Sequence, residues 1–133
     1  MPYVPTSGAL NLTSLDLGTL IGDLGPPPWR KPLVASASTR VVLTSVLPNG
    51  SPHPIHHHPR AEEVFYIVRG TGRLTLEGGV EHEVHPGMLL YMPRGVRHTI
   101  TASDAESLVW MSFIAPNEDA PDTEITQNES SPA

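Results

Sequence analysis

The chain has 133 residues, 15 prolines, 11 glycines, no cysteine and a formal charge of −6. That length suits one domain with a single hydrophobic core, the lack of cysteine excludes disulfides and thiolate metal sites, and so much turn-forming residue favours a β-rich fold over a helical bundle. Five acids and no Lys or Arg follow Ala115, so residues 1–115 hold eight cations against nine acids. They offer no basic stripe for nucleic acid and no apolar run of membrane length.

Residues 1–38 are the least regular stretch. Leucines in "LNLTSLDLGTLIGDLG" recur at two to five residues, compatible with a short strand, a turn of helix, or both. "PPPWRKP" is rigid, extended chain, with Trp29 placed to anchor on an apolar surface. The first 25 residues lack a basic start followed by an apolar run, so a soluble cytoplasmic protein is expected.

From Thr39 the pattern is that of strands. "TRVVLTSVL" is β-branched and ends at the turn Pro48-Asn49-Gly50. "EEVFYIVRG" (Glu62 to Gly70) follows. "GRLTLEGG" and "VEHEVHPG" are joined through Gly78-Gly79, a hairpin turn. "MLLYMP", "RHTITA" and "SLVWMSFIAP" (Ser107 to Pro116) complete the set. At least seven short strands at regular spacing predict an all-β sandwich or barrel over 39–115. Beyond it, 116–133 reads as an acidic, flexible tail.

Four of the seven histidines fall in one stretch, "PHPIHHHPRAEEVF" (Pro52 to Phe65). In an extended chain His56 and His58 share a face, and His57 takes the other. The turn at Pro59-Arg60-Ala61 brings the chain back, so that Glu63 can meet His56 and His58. Two imidazoles and a carboxylate then converge, most of a metal site. His98, on a later strand with Ile100 on the same face, is available as a fourth ligand. His57 and Glu62 are expected to face outward. His53, between two prolines, is expected near the pocket mouth. His82 and His85 carry no assigned chemistry.

These stretches resemble the two signature motifs of the cupin superfamily. Gly50 to Gly70 reads G-x5-H-x-H-x4-E-x6-G, and Gly87 to His98 reads G-x5-P-x-G-x2-H. Two positions depart from the usual pattern: Ala102 stands where Asn commonly closes the second motif, and Met88 where Asp commonly follows Gly87. The resemblance implies a double-stranded β-helix, or jelly-roll barrel, with one divalent metal held by His56, His58, Glu63 and His98.

Three imidazoles and one carboxylate suit Fe, Mn, Ni, Cu or Zn, and the open positions of a six-coordinate site favour Fe or Mn over a closed structural zinc. Inward faces nominate Leu43, Phe65, Ile67, Ile100 and Trp110 as further pocket residues. Arg73, Tyr91 and Arg97 are candidates for orienting an anionic substrate. Val64, Tyr66 and Val68 make the outer face of their strand apolar as well, so that face needs a cover. The cover is either the N-terminal segment or a second subunit, and a homodimer is expected.

The leading functional expectation is an Fe(II)- and O2-dependent, dioxygenase-type oxidation of a small organic molecule. A non-redox Lewis-acid enzyme (isomerase, decarboxylase, lyase or polyketide cyclase) is the alternative, followed by a binding module without turnover.

Overall fold

Strand β2 (Arg40–Val46) shows why two sheets form. Almost its whole length is buried, so both of its faces need cover. In the computed structural model, which describes residues 14–52, 54–117 and the backbone of 124–125, one face of β2 looks into a barrel and the other meets an N-terminal layer. The remaining strands are β1 (Trp29–Ala35), β3 (His56–His57), β4 (Glu62–Arg69), β5 (Gly72–Leu76), β6 (Glu81–Val84), β7 (Leu89–Met92), β8 (His98–Ala102), β9 (Leu108–Ala115) and β10 (Glu124–Ile125). Two five-stranded sheets result, ordered β1-β2-β9-β4-β7 and β10-β3-β8-β5-β6, with every pairing antiparallel. The expected jelly-roll barrel is therefore present.

The two inner faces meet in a core of Val46, Phe65, Ile67, Leu74, Val84, Met92, Ile100, Leu108 and Trp110. Each comes from a strand whose alternate residues turn inward.

The N-terminal segment holds regular structure. Helix α1 (Leu17–Leu24) is capped by Asp16, whose carboxylate accepts from the Thr19 amide at 3.0 Å. The extended run begins at Trp29, whose indole N–H donates to the Gly25 carbonyl at 2.9 Å. Ile21 of α1 and Leu33 of β1 pack on Val41, Leu43 and Val109, with Trp29 and Val68 at the margin. This chain's own segment thus covers the outer face of β2 and β9. Within the described residues no helix is long and apolar enough to cross a membrane. Of the acidic tail, Glu124–Ile125 pairs with β3; most of the rest lies outside the described residues.

Candidate metal centre and pocket

The donor cluster is assembled by three local devices. Strand β4 turns Glu63 inward with Phe65 and Ile67, while Glu62 stays exposed. Strand β3 sets His56 opposite His98, its cross-strand partner on β8. A turn at Pro93–Val96, closed by the Val96 amide on the Pro93 carbonyl at 3.2 Å, delivers His98. Gly95 sits in that turn at φ 81°, a conformation in which a side chain is strained. The same glycine's amide donates to the His58 carbonyl at 2.9 Å, tying the two histidine-bearing segments together.

His56, His58, Glu63 and His98 are all buried, and one potential ligand atom from each lies within 4.8 Å of every other. Nε2 of His98 is 3.1 Å from Glu63 Oε1, and Nε2 of His58 is 3.3 Å from the same oxygen. Ligands at about 2.1 Å from a common ion and at right angles stand about 3 Å apart, so these separations match a shared cation. The Nδ1 of His98 faces the Val96 carbonyl at 3.0 Å, and that of His56 faces the Pro54 carbonyl at 3.3 Å. A carbonyl only accepts, so each Nδ1 carries a hydrogen, and Nε2 is the nitrogen able to ligate once any proton it shares with Glu63 is given up. Burial pushes the Glu63 carboxyl up. Hydrogen bonds and charge from His58 and His98 outweigh it and hold the group down at about 2. The donor set is thus one carboxylate and three imidazoles, compatible with a divalent metal and offering no soft ligand.

A cavity of about 240 Å³ opens onto this cluster. Of the residues expected to line it, Phe65, Ile100 and Trp110 do. Phe65 stands edge-on to the His98 ring, centroids 5.7 Å apart, and contacts Trp110 at 6.0 Å. Ile67 is fully buried in the core and does not line the cavity.

Leu43 is on the opposite face of β2, under α1 and β1. Strand β2 carries apolar residues on both faces, Val41 and Leu43 on one and Val42 and Val46 on the other, so alternation does not fix its phase. The inward set is Arg40, Val42, Thr44 and Val46. Tyr91 is 54 % exposed on the outer face of β7. Arg73 pairs with Glu81 and Arg97 with Glu77, both at 3.4 Å on the surface and away from the cavity. The pocket arginines are instead Arg30 and Arg40, and Thr44 and Ser112 line the same cavity. Arg40 was legible only as the first residue of a strand of uncertain phase, and Arg30 only as part of an extended proline-rich run. His53 lies outside the described residues. His57 is half-buried on β3, outside the cluster, and His82 and His85 are exposed.

The family model described as "Cupin domain" matches residues 42–114. Dimethylsulfoniopropionate lyase DddQ of Ruegeria pomeroyi is 29 % identical over 102 residues, which make up 77 % of this chain. The chain spans only 46 % of that enzyme's length. Among solved structures, BH2720 of Bacillus halodurans superposes with a TM-score of 0.71 at 16 % identity, covering 86 % of this chain and 88 % of that one. The polyketide cyclase RemF of Streptomyces resistomycificus superposes with a TM-score of 0.64 at 26 % identity, covering 73 % and 69 %.

Proposed function

The chain belongs to the cupin family, and on that footing we propose that it is a metal-dependent enzyme acting on a small organic molecule by non-redox, lyase- or cyclase-type chemistry. One observation carries the reading: four buried donors, three imidazoles and an ionised carboxylate, sit together at the end of a cavity. The likeness to a lyase and to a polyketide cyclase supports the non-redox class. A divalent cation held by His56, His58, Glu63 and His98 would supply Lewis-acid polarisation of a substrate oxygen.

The rest falls to the chain itself. The apolar wall of Phe65, Ile100 and Trp110 excludes water from one side of the site. Thr44 and Ser112, both buried, present hydroxyls that can orient a polar substituent. Glu63, ionised, holds the cluster's one anionic position. The Fe(II)/O2 oxidation anticipated from the sequence uses the same donor set, so oxygen separates the two readings. Dimethylsulfoniopropionate, offered with other small organic acids to Fe(II)- and Zn(II)-loaded protein, is the first assay. Turnover at equal rates with and without air supports the non-redox reading; turnover that stops without oxygen overturns it.

Assembly belongs to the same proposal. Beyond the edge of the α1–β1 layer, the outer face of β9, β4 and β7 remains open among the described residues. Val64 stands between Phe113 and Tyr91, and Tyr66 beside Leu89, in adjacent cross-strand rows. Tyr66, Leu89, Tyr91 and Phe113 are all exposed, Leu89 by 65 %. A contiguous apolar face of this kind suits an isologous contact with a second copy. Light scattering at micromolar concentration is expected to give a dimer mass, and Leu89→Glu a monomer. A monomeric wild type would remove this part of the proposal.

A further inference from the structure

The side of the cavity built by β1 and β2 carries positive charge that the metal chemistry does not use. Arg40, Ile114 and Glu63 are cross-strand neighbours in one row, with Arg40 paired to Ile114 and Ile114 to Glu63. Two strand spacings separate the ends of that row, about 10 Å between backbones. Arg30 pairs with Thr44, which pairs with Trp110, forming another row on the same wall. Both guanidinium-bearing residues line the cavity, and among the described residues Glu63 is the only acid that lines it.

Arg40 is held in place. Its Nη1 donates to Asn117 Oδ1 at 3.3 Å. Asn117 in turn donates from Nδ2 to the Ser36 carbonyl at 2.8 Å and from its backbone amide to the Ala37 carbonyl at 3.3 Å. A guanidinium fixed this way has part of its ordering cost met before any ligand arrives. With a divalent cation on Glu63, the described lining residues would carry an excess of positive charge, which attracts and retains an anion.

We infer that the pocket takes a substrate bearing a carboxylate, bound by Arg40 with Arg30 at its outer side, while a second oxygen of the same molecule reaches the donor cluster. A planar carboxylate fits the guanidinium fork. The cavity, about 240 Å³, lies below the range of pockets for drug-sized ligands, which selects a short molecule. This inference rests on the proposed metal site and names what that site acts upon.

The test uses the full chain loaded with Co(II), whose visible spectrum reports on the metal's ligands. Succinate and glutarate are titrated in, with their uncharged diamides as controls and imidazole as a neutral metal ligand. The dicarboxylates are expected to bind and perturb the spectrum and the diamides to fail. Arg40→Gln is expected to weaken dicarboxylate binding by about tenfold or more, the loss of a charged hydrogen-bond pair. Its Co(II) stoichiometry and imidazole affinity should stay unchanged. Arg30→Gln, at an exposed position, gives a second and smaller loss and decides the matter if the Arg40 variant does not fold.

Protein that loads Co(II) and binds imidazole, yet binds diamides as well as dicarboxylates, overturns the inference. So does dicarboxylate binding unaffected by either substitution. Failure to load Co(II) at all places the fault earlier, in the metal site, and the inference falls with it.

Discussion

Replacing Glu63 by Gln is expected to remove stoichiometric metal from the purified protein while leaving the fold intact. Gln is close to isosteric, so packing around the site persists, but it takes away the only anionic donor of the cluster. Loss of an outer partner of a ligand already costs about 10- to 100-fold in metal affinity, and loss of a donor should exceed the upper figure. Elemental analysis of wild type and variant checks this directly.

A second readout comes from stability. A cation present at 100 times its dissociation constant stabilises the folded state by about 2.7 kcal/mol. Chelation should therefore lower the melting temperature of the wild type and leave that of Glu63→Gln where it was. The metal-free variant need not be less stable than metal-free wild type, because a buried carboxylate is costly to desolvate and Gln is not ionised. Full metal content in Glu63→Gln would sink the proposed centre.

The second large effect is expected at Gly70, which closes β4 and starts the turn into β5. Its φ is +83°, and a Cβ placed there would run into the backbone carbonyl of Ser107. The left-handed conformation costs a non-glycine residue about 1–2 kcal/mol. The steric overlap adds to this because its partner is backbone and cannot rotate away. Gly70→Ala is expected to lose about 3 kcal/mol or more, lowering the melting temperature by roughly 10 °C. Urea unfolding measures the same loss as a drop in midpoint. An unchanged midpoint would mean that the β4–β5 turn accommodates a side chain the geometry says it cannot.

How far the sequence reveals the structure differs from strand to strand. Where one face of a strand carries polar residues with a specific task, the alternation reads correctly. His56, Glu63 and His98 all point inward, as expected, because each lies on a strand whose facing is set by where its polar residues must go. Strands β2 and β7 are apolar on both faces, so a shift of one residue leaves the pattern looking the same. That is why Leu43 and Tyr91 are misplaced by the sequence while Val42 and Thr44 are overlooked. The arginines of the pocket are hidden for another reason. Arg30 reaches the cavity only because β1 pairs with β2 in a particular register, a long-range fact that no local pattern encodes. The short strand β3 is held by pairing to β8 and β10 rather than by propensity of its own.

The register between β1 and β2 also bears on how such a protein diversifies. The matched cupin segment begins at residue 42, and both Arg30 and Arg40 precede it. The donors of the candidate metal centre all lie within the segment, whereas the two arginines that line the cavity with them precede it, Arg30 on β1, which packs on the outer side of β2, and Arg40 at the start of β2 itself. On the proposed reading, reactivity and selectivity are therefore separable by sequence position. A graft exchanging residues 14–41 between relatives is expected to carry the proposed carboxylate preference with it and leave the candidate metal site behind.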